Sequence, residues 1–181
     1  MRRDLLGSVV LLAIVALLVL RPWEGDPEAG PASAMALVTR VVDGDTVEAR
    51  IEGEVEDVRL IGVDTPETVK PGEPVQCFGP QASRFSHRAL EGRRVRLVFG
   101  EERRDAYGRL LAYLYLAQPT FDVPEHVQSD LRDRSFNATL LQRGLARSLT
   151  IPPNDRFAPR FERLELTAAR AGRGLWGTCP P

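Results

Sequence analysis

Three acids invite a chemical explanation because of where they fall. Asp45 closes the corner of "VVDGDTV", and Asp64 and Glu67 end the run "VRLIGVDTPET". Asp-Gly between alternating apolar runs signals a hairpin, which accounts for Asp43 and Gly44. It leaves Asp45 unexplained, as a second negative charge at the same corner. Carboxylates brought together repel, and burying them unpaired is costly. A bound cation relieves both penalties, and an all-oxygen donor set suits Ca²⁺ or Mg²⁺. A helix-loop-helix calcium loop does not fit: counting from Asp43, the sixth position is Glu48, where glycine is needed. Two arginines complement the acids. Arg59 lies five residues before Asp64, and Arg109 lies in "DAYGR". A cation with two guanidiniums meets the needs of a phosphodiester. The positive groups stabilise charge on a pentacoordinate phosphorane while a carboxylate handles the attacking water. No histidine is paired with a nucleophile, and no Cys/His spacing suggests zinc. His87 reads as a helix-surface residue and His126 as a loop residue.

Such a site needs elements that bring distant residues together. "ALVTRVVDG", "DTVEARIEG", "EDVRLIGVD", "RRVRLVFGE" and "RLLAYLYLA" are five short strand-like runs. Their order fits a small antiparallel barrel better than a parallel sheet. Helical spacing marks "GPQASRFSHRALEG", with Ala82, Phe85, Ala89 and Leu90 on one face. "SFNATLLQRGLA", stopped at Gly144, is a second helix. "APRFERLELTAARAG", with Pro159 in its first turn and Gly172 past its end, is a third. The polar stretch between Pro119 and Arg134 reads as a surface loop or insertion. The arginines at 93, 94, 96, 103 and 104 read as a solvated strand face and loop, with groove binding to nucleic acid as the alternative.

The motifs "VVDGDTV", "VRLIGVDTPET", "CFGPQAS", "DAYGRLLAYLY", "NATLLQRGLA" and "GLW" together resemble the staphylococcal nuclease (thermonuclease) family, over about residues 36–177. The resemblance implies an α+β fold, an OB-fold barrel of five strands with three helices. It also implies a Ca²⁺-dependent phosphodiesterase acting on DNA and RNA. By resemblance, Asp45 and Asp64 match the Ca²⁺ carboxylates, and Thr65 matches the residue whose main-chain carbonyl joins them. Glu67 matches the general base or water-orienting group, and Arg59 and Arg109 the two phosphate-binding arginines. Two stretches depart from the family's type member. Aromatics past the second helix are replaced by "RSLTIPP", with Thr150 and Ile151, and a loop lysine beside Tyr107 is Ala106. These departures bear on base preference rather than on phosphate chemistry.

The chain has 181 residues and a formal net charge of −1, so overall charge does not itself argue for a nucleic-acid partner. All but one of its 24 basic residues, Lys70, are arginines, which are rigid bidentate phosphate donors. Arg2 and Arg3 precede Leu5–Leu20, an uncharged run of 16 residues. As a helix this spans about 24 Å, against roughly 30 Å for a bilayer core. Pro22, Trp23 and Glu24 follow where a cleavage site would lie, so residues 1–23 read as a retained signal anchor, with a cleaved signal peptide as the alternative. Either way the rest is exported, to the outer face of the membrane or beyond. Residues 24–35 read as a linker, and 36–181 as the nuclease-like domain. In an oxidising compartment Cys77 and Cys179 are expected to form a disulfide, two unpaired thiols being the alternative. The expectation is therefore an exported, membrane-tethered and monomeric nuclease using Ca²⁺, or else Mg²⁺ or Mn²⁺. Its rival is a nucleic-acid-binding barrel of the envelope that does not cut.

Overall fold

β1 (Ser33–Asp43) and β2 (Thr46–Ile51) form the first hairpin, and β3 (Glu54–Leu60) extends it antiparallel. In this computed structural model residues 32–68, 72, 74–117 and 135–180 are described. The apolar run Leu5–Leu20, most of the expected linker and the 119–134 stretch lie outside them. Among the described residues no helix is long and apolar enough to cross a membrane.

The β2–β3 turn has positive φ at both central residues, Glu52 (51°) and Gly53 (101°). That is the two-residue turn whose twist suits a hairpin. β1 departs from simple alternation. Its pairing with β2 slips after Val38 and again after Val41. Each slip is a bulge. The first slip shifts the phase, so Val38 and Val41, three residues apart, are both buried, and Asp43 follows Val41 inward. β1 also begins at Ser33, three residues before Ala36, because Ser33–Leu37 pair with Val98–Arg94.

β4 (Val63–Asp64) follows the Ile61–Gly62 turn, and α1 (Gly79–Leu90) crosses over to β5 (Arg94–Arg104) and β6 (Leu110–Leu116). The barrel closes in the order β1-β2-β3-β6-β5. One pairing corrects the expectation of an antiparallel barrel: β3 runs parallel to β6, with Val58–Leu60 facing Leu110–Ala112. Closure removes exposed strand edges.

After β6 come α2 (Phe136–Gln142), β7 (Arg147–Ser148), α3 (Ala158–Arg170) and the single turn α4 (Leu175–Thr178). Ser135 caps α2, its hydroxyl accepting from Ala138 N at 3.1 Å. Val38, Val47, Val58, Leu60, Leu97 and Leu114 fill the barrel, with Leu140 and Leu141 from α2 packed on it. Each such side chain contributes roughly 1.5–3 kcal/mol by leaving water. Fully buried Asn137 fastens α2 to the barrel. Its amide donates to Ile61 O (2.8 Å) and its oxygen accepts from Leu114 N (3.0 Å). This fixes the Ile61–Gly62 turn, and so the start of β4.

Candidate active site

Asp45 ends the β1–β2 turn, where a carboxylate would normally face water, yet its side chain is only 8% exposed. Its Oδ2 accepts from Thr65 N (2.7 Å) and Thr65 Oγ1 (2.9 Å) and lies 2.8 Å from Arg59 Nη1. Its Oδ1 accepts from Thr46 Oγ1 at 3.1 Å. Gly44 permits this packing: a Cβ there would lie 2.6 Å from Thr65 Oγ1. The turn therefore needs glycine for close approach to the site. Ser86 of α1 anchors it by donating to Gly44 O at 2.6 Å.

Arg59, on β3, clasps both acids that flank it. Beside its contact with Asp45, it donates from Nη2 to Asp64 Oδ1 (3.1 Å) and from Nη1 to Val63 O (3.0 Å). Its side chain is 15% exposed, while that of Asp64 is 57% exposed. Desolvation pushes the Asp64 carboxyl above its ordinary range. The Arg59 charge opposes that rise, and the charges of Asp45 and Glu67 add to it. Asp43 shifts upward as well, first through burial, with Asp45 adding repulsion and a bond from Thr68 opposing. Thr68 Oγ1 reaches Asp43 Oδ1 at 2.6 Å. The opening corner thus holds four acids, not three, and Asp43 is more than a turn residue.

Glu67 is held through its backbone. Its N–H donates to Gln76 Oε1 (3.1 Å), and its carbonyl accepts from Gln76 N (2.9 Å). One carboxylate oxygen accepts from Thr68 N at 2.8 Å. The next residue after Gln76 is Cys77, bonded to Cys179 with Cα atoms 5.8 Å apart. The bond ties the tail after α4 to the segment that holds Glu67.

Arg109 stands on the β5–β6 turn. Asp105 Oδ2 accepts from its Nε at 2.7 Å and lies 2.6 Å from its Nη2, while Asp105 Oδ1 accepts from the backbone N–H groups of Tyr107 and Arg109. Burial alone would raise the Asp105 carboxyl, but these bonds outweigh it and hold it below the ordinary carboxylate range. Tyr107 is 86% exposed and lies under the Arg109 guanidinium, 5.4 Å away.

Arg59 and Arg109 line one cleft of about 390 Å³. Its apolar wall includes Leu149 and Ile151, from the stretch that stands in place of the type member's aromatics, and Ala106 also faces it. The structure therefore joins Asp45, Asp64, Thr65 and Arg59 by direct contact, sets Glu67 beside them, and faces Arg109 into the same cleft as Arg59. The donors fit a hard divalent cation. All are oxygens, and the mutual repulsion registered at Asp64 is what a cation would relieve. Among the described residues no three His, Cys, Asp or Glu side chains converge to hold a metal. Two carboxylates, a carbonyl and water would have to suffice.

The model of the staphylococcal nuclease homologue family matches residues 57–178. The chain belongs to the staphylococcal nuclease family. It is 37% identical to the thermonuclease of Staphylococcus intermedius, over 97% of this chain and 99% of that one. It is 34% identical to the thermonuclease of Staphylococcus hyicus, over 92% and 95%. Endonuclease YncB of Bacillus subtilis is 33% identical over 84% of this chain and 67% of its own length. Within that family frame, four supporting residues escape a reading of single motifs: Asp43, Thr68, Gln76 and Asp105. Only Asp105 carries a local signal, as an acid four residues before an arginine across a Gly-containing turn.

Proposed function

We propose that the protein is a metal-dependent nuclease that hydrolyses phosphodiester bonds in DNA or RNA, with Ca²⁺ as its ion. One observation carries this reading: two held guanidiniums face one cleft beside a group of carboxylates. The family and its thermonuclease and endonuclease relatives support it.

Asp45, Asp64 and the Thr65 carbonyl would hold the cation, and Mg²⁺ or Mn²⁺ would suit the same donors. When bound, it supplies charge neutralisation at the phosphate and lowers the pKa of a coordinated water. Arg59 and Arg109 grip the phosphate from two sides and stabilise the charge that grows on its oxygens as it becomes pentacoordinate. Because each guanidinium is already fixed by carboxylates, little reorganisation is needed at the moment of reaction. The Glu67 carboxylate takes the proton of the attacking water. Its backbone is locked to Gln76, which keeps it beside Asp64. The exposed apolar wall at Leu149 and Ile151 gives a base or sugar a surface without stacking, so base preference is weak.

The N-terminal run of Leu5–Leu20 after Arg2 and Arg3 supports export with a retained anchor, residues 24–31 serving as tether to a monomeric domain that begins with the strand at Ser33. The disulfide fits an oxidising location. The decisive experiment is digestion of denatured DNA and of RNA by the purified full chain, with Ca²⁺ or with a chelator. Cutting that needs the ion supports the proposal. Binding without cutting over a range of pH and metals would leave the non-catalytic rival.

A further inference from the structure

A second concavity, of about 260 Å³, lies on the outer wall of the barrel. Arg96 of β5, Tyr115 of β6, and Arg156 and Phe157 just before α3 line it. Asn154 lines both this concavity and the Arg59–Arg109 cleft, so the two adjoin. Asn154 is itself buried and doubly bonded to the Glu102 backbone: its oxygen accepts from Glu102 N (3.1 Å) and its amide donates to Glu102 O (2.9 Å). The ridge between the two clefts is therefore a fixed one.

Two arginines in this second cleft lie over aromatic rings. Arg96 lies over the Tyr115 ring at 5.0 Å, and Arg156 over the Phe157 ring at 5.4 Å. Both arginines are exposed, and among the described residues neither has an ion-pair partner. Their N–H donors are oriented by aromatic faces rather than used up by carboxylates. By contrast Arg104 on the same strand is paired with Glu56. Glu101 is the acid on the rim of the second cleft.

On the other side of the active cleft most of the neighbouring acids are already paired. Past Arg109 and Tyr107 the surface is lined by Glu48, Glu56 and Asp57, of which Glu48 is held by Arg40 and Glu56 by Arg104. Past Asn154 a polyanion gripped at Arg59 and Arg109 meets guanidiniums that have no ion-pair partner among the described residues.

We propose that the Arg96–Arg156 cleft binds the continuing single strand of a nucleic-acid substrate. Phosphates take the free guanidinium donors, and bases stack on the aromatic and guanidinium faces, a sequence-tolerant mode that serves DNA and RNA alike. The site extends the substrate grip beyond the scissile phosphate, and so rests on the nuclease reading.

The test uses the full chain and the double variant Arg96→Gln/Arg156→Gln. Fluorescence anisotropy in chelator measures binding of a labelled oligothymidylate of about 15 nucleotides, within the range of single-strand site sizes. The variant should bind about tenfold more weakly. Its salt dependence should be shallower by about 1.4 in the log–log slope, about 0.7 for each phosphate that an arginine no longer neutralises. In Ca²⁺, KM for the long oligonucleotide should rise while kcat on a dinucleotide stays unchanged. Wild-type affinity and slope in the variant would overturn the proposal. So would an equal loss of binding to polyglutamate, which would make the cleft a general anion site. A wild-type protein that binds the strand but never cuts removes the nuclease reading instead, and anisotropy still judges the cleft.

Discussion

Arg59 and Arg109 reach into one cleft from two differently built supports. Arg59 leaves a barrel strand and is wrapped by Asp45, Asp64 and the Val63 carbonyl, with 15% of its side chain exposed. Arg109 stands on a turn, held by the single carboxylate of Asp105, with 30% of its side chain exposed. The first support is woven into the fold, because the carboxylate that orients the arginine is buried and needs it. The second is local, because the turn persists with or without the guanidinium. Catalytic and structural duties should therefore coincide at the carboxylate corner and separate at the turn.

The largest catalytic effect is expected at Glu67, which belongs to the carboxylate corner but is oriented through its backbone. Glu67→Gln should lower kcat by about 10²–10⁴-fold, as for a lost general base, with little change in oligonucleotide affinity. Single-turnover rates and anisotropy separate the two. A near-normal rate would mean that another group activates the water.

Arg59→Ala should cost both activity and stability. Loss of a donor to the developing charge lowers kcat by about 10²–10³-fold. The buried Asp45 carboxylate loses its cation, at about 3 kcal/mol. Urea unfolding would show the midpoint falling at constant slope. An unchanged midpoint would show that Thr65 and Thr46 suffice to hold Asp45, and the contrast would collapse.

Arg109→Lys should show the separation. A point charge cannot reproduce the planar fork, so kcat/KM should drop about 10²-fold. Stability should move by no more than about 1 kcal/mol, because the half-buried pair sits at the surface and Lys keeps the charge beside Asp105. A large shift in the unfolding midpoint would make the turn as structural as the strand.

Asp105→Asn is the mildest of the four, with about a fivefold fall in kcat/KM as the Arg109 fork loses its charged orienter. Its acid dependence has a definite sign. The Asp105 carboxyl is held below its ordinary value of 3.8 in the folded chain. Its stabilising contribution is therefore complete above that value and is lost as pH falls through the lower folded one. Acid unfolding of wild type and variant should differ above this window and converge below it. Curves that stay parallel to the lowest pH would remove Asp105 as the titrating hold.

Much of this contrast could be read from residue order alone, because both arginines and all the acids lie within short motifs. The hairpins announced themselves through period-two alternation broken at Asp-Gly and Glu-Gly. Alternation says which face a residue takes but not which strand lies beside it, so the parallel β3–β6 closure was missed. The start of β1 at Ser33 escaped for the same reason, since it rests on pairing with β5, more than sixty residues later. The β4–β7 ladder, Val63–Asp64 with Arg147–Ser148, has two residues a side, too few for any periodicity. The bulge after Val38 shifted the phase of β1 and so turned Val41 and Asp43 inward, and no local signal marks it. Gln76 and Thr68 look like ordinary polar loop residues until the fold brings Glu67 and Asp43 against them. The candidate residues could be picked out because the chemistry expected of them depends on residue type. The support could not, because it depends on neighbours distant in sequence.

The Cys77–Cys179 bond has a topological consequence. It links residues 102 apart and so divides the chain into an open arm and a covalent ring. Asp45, Arg59, Asp64 and Glu67 lie on the arm, while Arg109, α2 and α3 lie in the ring. A single peptide cut anywhere between residues 78 and 178 opens the ring without releasing a fragment. The nicked molecule still carries both arginines on one covalent framework, and the folded barrel can keep them facing each other. On a gel it would migrate near its intact size until reductant splits it in two. A protease must therefore cut twice, or cut the arm, before half of the cleft can drift away from the other.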